Sequence, residues 1–313
     1  MKVYRGIESF NAHRPVVTIG TFDGVHNGHR EVVKQLKNIA QKEQGETVIF
    51  TFDPHPRRVV APDDTSLRLL STTEEKIALF EGLGIDHLVV YPFTKEFAQL
   101  KYDEFIQQIL VDKLKMAHLV VGYDHKFGRN REGGFEFLKE CANKLNFGIS
   151  QLKVLSMNDT NISSTEIRGA LNDGDIVKAN GFLGYSYGMK GLVVKGQQIG
   201  RTIDFPTANI QVNDSFKIIP SDGVYAVWAE VEGIRYKGML NIGSRPTVNN
   251  DESDKSIEVH LFDFNQDIYQ KEMNVFFVDK IRNEQKFKSV DELKDQLEKD
   301  RLTAKGILVK LGI

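Results

Sequence analysis

Gly20-Thr21-Phe22-Asp23-Gly24-Val25-His26-Asn27-Gly28-His29 joins an apolar run to a helical pattern, and its reading decides the fold. Before it, Val16-Val17-Thr18-Ile19 reads as a buried strand. After it, Val32, Val33, Leu36, Ile39 and Ala40 share one face of a helix that Gly45 suits as a C-terminal cap. Such a strand, turn and helix is where α/β proteins bind nucleotides. The helix begins with free N–H groups and a partial positive charge, which favours phosphate. His26 and His29, three residues apart at the helix start, can aim two imidazoles at the same oxygens. Gly28 between them removes a side chain where a ligand has to approach. The competing reading is two ordinary surface histidines beside a loop glycine; the position in the strand-to-helix turn favours the ligand.

Working outward, the 313 residues predict two domains, since single cores seldom grow beyond roughly 250–300 residues. A net charge of −2 gives no reason to expect a polynucleotide partner, so an anionic ligand has to be met by local groups. The single cysteine, Cys141, excludes an internal disulfide and a multi-thiolate metal site; beside Phe137, Leu138 and Leu145 it reads as a core thiol. No stretch approaches the ~18 uninterrupted apolar residues of a membrane span. The segment 1–14 is mixed and polar, unlike a secretory signal, so the expected location is the cytoplasm, with no membrane partner.

Up to about residue 155 strand and helix patterns alternate. Apolar runs at 47–52, 88–91 and 119–122 follow the first strand. Thr72 and Glu75 have capping-box spacing at the start of one helix, and 102–114 is helical by period. This alternation predicts a parallel sheet covered by helices. Chemically rich residues cluster after the strands: Asp23, His26 and His29; then Asp53, His55, Arg57 and Arg58; then 122–134, with Asp124, His125, Phe127, Arg129 and Arg131. Strand C-termini in such sheets share an edge, so these clusters are expected to meet in one crevice. Asp53-Pro54-His55-Pro56 reads equally as a stiff turn or a ligand-holding one. Ser163 and Glu166 again have capping-box spacing. That helix start is complete without a ligand, yet Ser163, Ser164, Thr165 and Arg168 also make a triphosphate cradle.

Patterning changes after a connector at 181–184, giving expected domains 1–182 and 185–313. Short β-rich runs follow at 191–194, 224–231, 235–242, 256–264 and 273–277, with Glu232-Gly233 as a hairpin turn. They predict a small antiparallel barrel. A last helix is capped by Ser289 and Glu292, with Val290, Leu293 and Leu297 facing inward. Thr207 and Asn209 offer oxygen ligands suited to a Mg²⁺-nucleotide, though physically an ordinary turn explains them as well. Alternation alone permits Glu258 to be an outward strand residue.

Four blocks, G-T-F-D-G-V-H-N-G-H, F-D-P-H-P, G-Y-D-H-K-F-G-R-N-R-E-G-G and I-S-S-T-E-I-R, resemble the H-x-G-H nucleotidyltransferases. In particular they resemble the adenylyltransferase half of prokaryotic bifunctional riboflavin kinase/FAD synthetases. Pro206-Thr207-Ala208-Asn209, Pro220-Ser221-Asp222-Gly223-Val224-Tyr225, the segment 241–247 and the segment 258–264 resemble the riboflavin kinase half; Arg282-Asn283-Glu284 and Phe287 match its closing segment. The resemblance implies an α/β nucleotidyltransferase domain with a Rossmann-like parallel sheet. A small antiparallel β-barrel riboflavin kinase domain with a C-terminal helix would follow it. The implied reactions are phosphorylation of riboflavin to FMN and adenylylation of FMN by ATP to FAD.

By that carry-over His26, His29, Gly20, Phe22, Asp23, Gly28, Ser163, Ser164, Thr165 and Arg168 serve ATP and its phosphates. His55 lies near the reacting groups, and Asp53, Asp124, Phe127 and Arg131 lie toward the flavin. In the second half Glu258 is the expected general base, Thr207 and Asn209 hold Mg²⁺ and phosphates, and Arg282 and Glu284 contact flavin. The implied partners are the small molecules ATP, riboflavin and FMN. Three positions depart from the family: His125 stands for a usual Phe, and Asp204 and Gln270 for usual Gly residues. Asp204 beside an anionic ligand predicts weakened ATP binding. The alternatives are a chain with only the adenylyltransferase half active and a non-catalytic flavin-binding regulator; the histidine pair and Glu258 argue against the latter.

Overall fold

A computed structural model describes residues 1–122, 134–152, 156–157, 160–196, 200, 203–244 and 255–310. Asp124, His125, Phe127, Arg129 and Arg131 lie outside the described residues. The chain divides into two compact units, Met1–Ser164 and Thr165–Ile313.

Among the described residues, the main sheet of the first unit has six strands: β1 (Lys2–Arg5), β2 (Val16–Ile19), β3 (Thr47–Asp53), β4 (His87–Pro92), β5 (His118–Val121) and β6 (Gly148–Gln151). They form one sheet in the order β1-β4-β3-β2-β5-β6, and each neighbouring pair is parallel. The central runs are buried throughout because helices cover both faces, which is why they read as unbroken Val/Ile stretches. Strand order reverses at β2, with β3 on one side and β5 on the other. The crevice of such a sheet opens at that switch point, beyond the strand C-termini, where the 20–29 turn leaves β2.

The helices of this unit are α1 (Asn27–Glu43), α2 (Pro56–Val60), α3 (Thr73–Gly82), α4 (Lys95–Ala98), α5 (Tyr102–Glu104) and α6 (Phe135–Leu145). The Thr72/Glu75 capping box is present on α3. Two local expectations change. The left-handed cap of α1 is Gln44 (φ 51°), not Gly45. Gly45 is needed for space, since a Cβ there would stand 2.1 Å from the Arg14 carbonyl oxygen. The segment after α5 winds as a π-helix, Phe105–Lys113, and still buries Phe105, Ile106, Ile109 and Leu110. Apolar spacing does not distinguish the two windings over so short a run. A short ribbon, β7 (Ser156–Met157) with β8 (Thr160–Asn161), precedes the second unit.

The second unit contains α7 (Ser164–Asp173, from the boundary residue onward), α8 (Ile176–Leu183), strands β9 (Gly188–Val194), β10 (Ala208–Val212), β11 (Gly223–Val231), β12 (Ile234–Ser244), β13 (Lys255–Leu261) and β14 (Glu272–Arg282), and α9 (Val290–Lys310). The strands close a barrel in the order β10-β13-β12-β11-β14-β9. Glu232 (φ 52°) and Gly233 (φ 79°) make the expected hairpin turn between β11 and β12. The segment 165–182, expected with the first domain, makes contacts with the barrel in the structure. Asn180 donates its amide to the Phe277 carbonyl (2.9 Å) and accepts from the Tyr187 N–H (2.7 Å), and the Ser221 N–H donates to the Leu171 carbonyl (3.1 Å). Helix α9 covers the outer barrel wall through Leu293, Leu297, Ala304 and Leu308 against Ala226, Met239 and Val278. Val290, expected inward, is 60% exposed, because it is the first residue of the helix.

Candidate functional site

The turn after β2 is built under strain. Phe22 (φ 49°) and Val25 (φ 39°) adopt left-handed backbone that side-chain-bearing residues rarely tolerate, Val least of all. Their side chains repay this by burial in the core; Phe22 meets Phe80 edge-to-face at 5.5 Å between centroids. Asp23 is also buried. Its carboxylate accepts from the N–H groups of Leu70 (2.9 Å) and Ser71 (3.1 Å), and the Ser71 hydroxyl accepts from the Gly24 N–H (2.9 Å). Of the residues expected at the nucleotide, Phe22 and Asp23 therefore brace the turn with their side chains and leave its backbone to face a ligand. Gly20 leaves room for the Phe22 ring, 3.2 Å from where a Cβ would stand.

His26 occupies the N-cap of α1, where its Nδ1 accepts from the His29 N–H at 3.4 Å. That leaves Nε2 as the protonated, donating nitrogen of the neutral ring. The imidazoles of His26 and His29 are stacked, with centroids 3.6 Å apart and planes 18° from parallel. Gly28 makes the stack possible: a Cβ on it would meet the His26 ring at 3.1 Å. The Nδ1 of His29 is buried without a hydrogen-bond partner. Burial, with His26 and Lys76 nearby, holds His29 well below the usual histidine range, so it is neutral at pH 7. Ser164 reaches back across the sequence and donates its hydroxyl to the Asp23 carbonyl at 3.0 Å. The two signature stretches thus touch, 141 residues apart. Thr165 and Arg168 continue on α7 within the second unit; Ser164 and Arg168 are one helical turn apart and share a face.

Asp53 ends β3, next to the same edge. His55 caps the short helix α2, accepting from the Arg57 N–H at 3.2 Å. Beneath the edge runs a residue the sequence reading passed over. Lys76 on α3 is 6% exposed and its Nζ lies 3.4 Å from the Thr51 hydroxyl. Its place one turn before Phe80, on the buried face of the helix, was the available signal.

In the barrel, register assembles the second set. Asn209 on β10 faces Glu258 on β13, and Glu258 also faces Asn241 on β12. The Thr207 hydroxyl donates to Glu258 Oε2 at 3.1 Å. The Pro206 carbonyl meets His260 Nδ1 at 2.8 Å, fixing the turn that carries Thr207. Two glycines clear the space: Gly243, within the 241–247 motif, and Gly196, which no sequence motif marked. A Cβ on Gly196 would stand 2.0 Å from Asn209 Nδ2, and one on Gly243 2.3 Å from Glu284 Oε1. Arg282 is engaged elsewhere: it forks onto both carboxylate oxygens of the buried Asp300 at 2.8–3.0 Å, with the Phe287 ring 5.7 Å away. Asp204 takes left-handed backbone (φ 63°), where glycine is easiest, and its carboxylate meets Lys294 of α9 at 3.1 Å.

Comparison with known proteins adds the following. Residues 9–166 match the family model described as FAD synthetase, and residues 183–308 match that described as riboflavin kinase. A bifunctional riboflavin kinase/FMN adenylyltransferase of Bacillus subtilis (strain 168) is 40% identical over 292 residues, which span 93% of this chain and 92% of the relative. That of Escherichia coli (strain K12) is 38% identical over 311 residues and 97% of each chain. A crystal structure from Streptococcus pneumoniae, described as a macrolide-efflux protein, superposes with a TM-score of 0.87 at 31% identity over 97% of this chain and 98% of that one. Among the described residues of the present chain no helix is long and apolar enough to cross a membrane.

Proposed function

The chain belongs to the bifunctional riboflavin kinase/FMN adenylyltransferase family, making FMN from riboflavin and FAD from FMN, and on that premise we propose which residues carry each step. Residues 1–182 perform the adenylyl transfer and 185–313 the phosphoryl transfer. The I-S-S-T-E-I-R stretch runs past the boundary of the compact units, which supports counting α7 with the first activity.

In the adenylyl transfer an FMN phosphate oxygen attacks the α-phosphorus of ATP in line, and pyrophosphate leaves. The protein needs no covalent intermediate; it positions and stabilises charge. His26 donates through Nε2, His29 supplies the adjoining ring, and the partial positive charge at the start of α1 completes the phosphate site. Ser163, Ser164, Thr165 and Arg168, from the other signature, are assigned to the same phosphates by the resemblance. His55 stands near the reacting groups and Asp53 toward the flavin, with Asp124, Phe127 and Arg131 assigned there from the resemblance. The Ser164–Asp23 hydrogen bond is the observation that carries this reading, because it joins two stretches that local structure alone does not require to meet.

In the phosphoryl transfer Glu258 takes the proton of the riboflavin hydroxyl as its oxygen attacks the γ-phosphorus, and ADP leaves. The Thr207 contact aims its carboxylate. Arg282 and Glu284 are assigned to the flavin side. The neutral oxygens of Thr207 and Asn209 beside one carboxylate suit a hard cation such as Mg²⁺, which keeps waters and phosphate ligands of its own. Those two residues would hold it, and when bound it would offset phosphate charge. The cytoplasm, which supplies ATP, is the location that fits both reactions.

Product analysis tests the scheme. Riboflavin with ATP and Mg²⁺ is expected to yield FAD by way of FMN, and added FMN to yield FAD and pyrophosphate. Unchanged riboflavin alongside FAD made from FMN would leave only the adenylyl half standing. Flavin binding with no release of ADP or pyrophosphate would overturn both.

A further inference from the structure

Lys76 has no part in either reaction as set out above, yet its placement is costly. The side chain runs from α3 into the interior of the first unit, and its Nζ meets the Thr51 hydroxyl on β3 at 3.4 Å. That hydroxyl donates to the Thr21 carbonyl at 3.2 Å, inside the turn that leaves β2. The amine thus lies against β3, which ends in Asp53, and one hydroxyl away from the turn that carries Thr21 and Asp23. Burial pushes Lys76 toward its neutral form, while Asp23 and Asp53 act to keep it charged. A charge on Lys76 also helps to hold His29, on α1, in its neutral form. A methionine would fill this space without the desolvation penalty, which ordinarily makes an apolar replacement neutral or stabilising. A charge kept there calls for a use.

The use follows from the charge balance of the crevice. Asp23, buried within the turn, and Asp53, at the end of β3, place two carboxylates behind and beside the edge where ATP and FMN, both anionic, would come together. A positive charge acting through the protein interior is weakly screened, so it offsets those carboxylates without touching the ligand. We infer that Lys76 is a positioning residue of the adenylyl-transfer site, a buried cation that offsets Asp23 and Asp53 and so lets polyphosphate settle against His26 and His29. The inference rests on the site reading given under Proposed function.

The test uses the full chain, with added FMN and ATP, and adenosine as competitive inhibitor. Adenosine occupies the nucleotide position without phosphates. In Lys76→Met the KM for ATP should rise about tenfold or more, while the inhibition constant of adenosine stays within about twofold. Lys76→Gln should behave alike, and FMN formation from riboflavin should be unchanged in both. An equal rise for ATP and adenosine would mark Lys76 as packing and overturn the inference, as would no change in either. Loss of the first unit's thermal transition in both variants, with the kinase step intact, would also overturn it. His29→Ala separates the two levels: if it spares adenylyl transfer, the site reading has failed, whatever Lys76 does.

Discussion

Around His26 and His29 the polar groups are partly or wholly buried, the backbone is strained at Phe22 and Val25, and a carboxylate is spent on holding the turn. Around Thr207, Asn209 and Glu258 the groups come from strand register, with a single hydroxyl-to-carboxylate contact between them. On the scheme proposed above, both regions meet the phosphates of ATP. The first is held by buried contacts within the fold; the second is carried by barrel strands through their register. Substitutions should therefore cost both stability and rate in the first region, and mainly rate in the second.

The largest expected effect tests the second half of that contrast. Glu258→Gln keeps an acceptor for Thr207 but removes the base, so FMN formation should fall by about 10²–10⁴. Its thermal unfolding should stay within about 0.5 kcal/mol of the parent, and FAD formation from added FMN should be untouched. A fall in both activities would erase the distinction between the regions. His29→Ala is the counterpart. It removes one member of the stack and a phosphate contact, so adenylyl transfer should fall about 10²–10³-fold. The first unit should also lose about 1–3 kcal/mol, with FMN formation preserved. Loss of activity with no loss of stability would show that the first site is not held by its buried contacts.

A smaller effect sharpens the barrel side. Gly196→Ala puts a methyl on the Asn209 amide, which is buried and unable to swing clear. The kinase KM for ATP should rise about tenfold, from a lost charge-to-dipole contact of ordinary size, with the adenylyl step unaltered. An unchanged KM would remove Asn209 from the nucleotide site.

Proton linkage gives the next contrast. His29 and His118 in the first unit and His260 in the second are all pushed down, chiefly by burial. A histidine held below its unfolded value binds its proton more readily in the unfolded chain. Stability is therefore full above about pH 6.5 and is lost as pH falls from there toward the folded pKa. Each such proton contributes a slope of at most about 1.4 kcal/mol per pH unit. His29 is shifted furthest, so between pH 6.5 and about 5 the first unit's melting transition should drop more than the second's. His29→Ala should narrow the gap; scanning calorimetry across that range reads it.

What the sequence made legible follows from burial. Strands β2 to β5 are covered on both faces and read as continuous apolar runs. The edge strands β1 and β6, with Lys2, Arg5, Ser150 and Gln151 in them, gave no such signal. The histidine pair was readable from its spacing, but its stacking depends on ring orientation, which spacing does not encode. Gly28 was read as room for a ligand; a Cβ there would also crowd the His26 ring at 3.1 Å, a contact that spacing does not announce. Gly196 and Lys76 draw their meaning from partners distant in the chain, Asn209 and Thr51, so no local pattern announces them; Gly243 lies in the 241–247 motif, but its partner Glu284 is equally remote.

Asp204 brings the smallest effect and the sharpest local disagreement. Its charge beside a phosphate site predicts repulsion of ATP when only the sequence is weighed. In the structure the carboxylate is 86% exposed and directed at Lys294 on α9, so water and a neighbouring cation screen it. What Asp204 carries instead is a left-handed backbone, which Asp tolerates better than most residues but less well than glycine. Asp204→Gly relaxes that strain, gives the unfolded chain more freedom, and removes an exposed ion pair worth about 0–1 kcal/mol. These terms oppose one another, so stability should move by less than about 1 kcal/mol and the kinase KM for ATP by less than about twofold. A KM that fell tenfold would restore the repulsion and require the Asp204 carboxylate to turn from Lys294 toward the nucleotide.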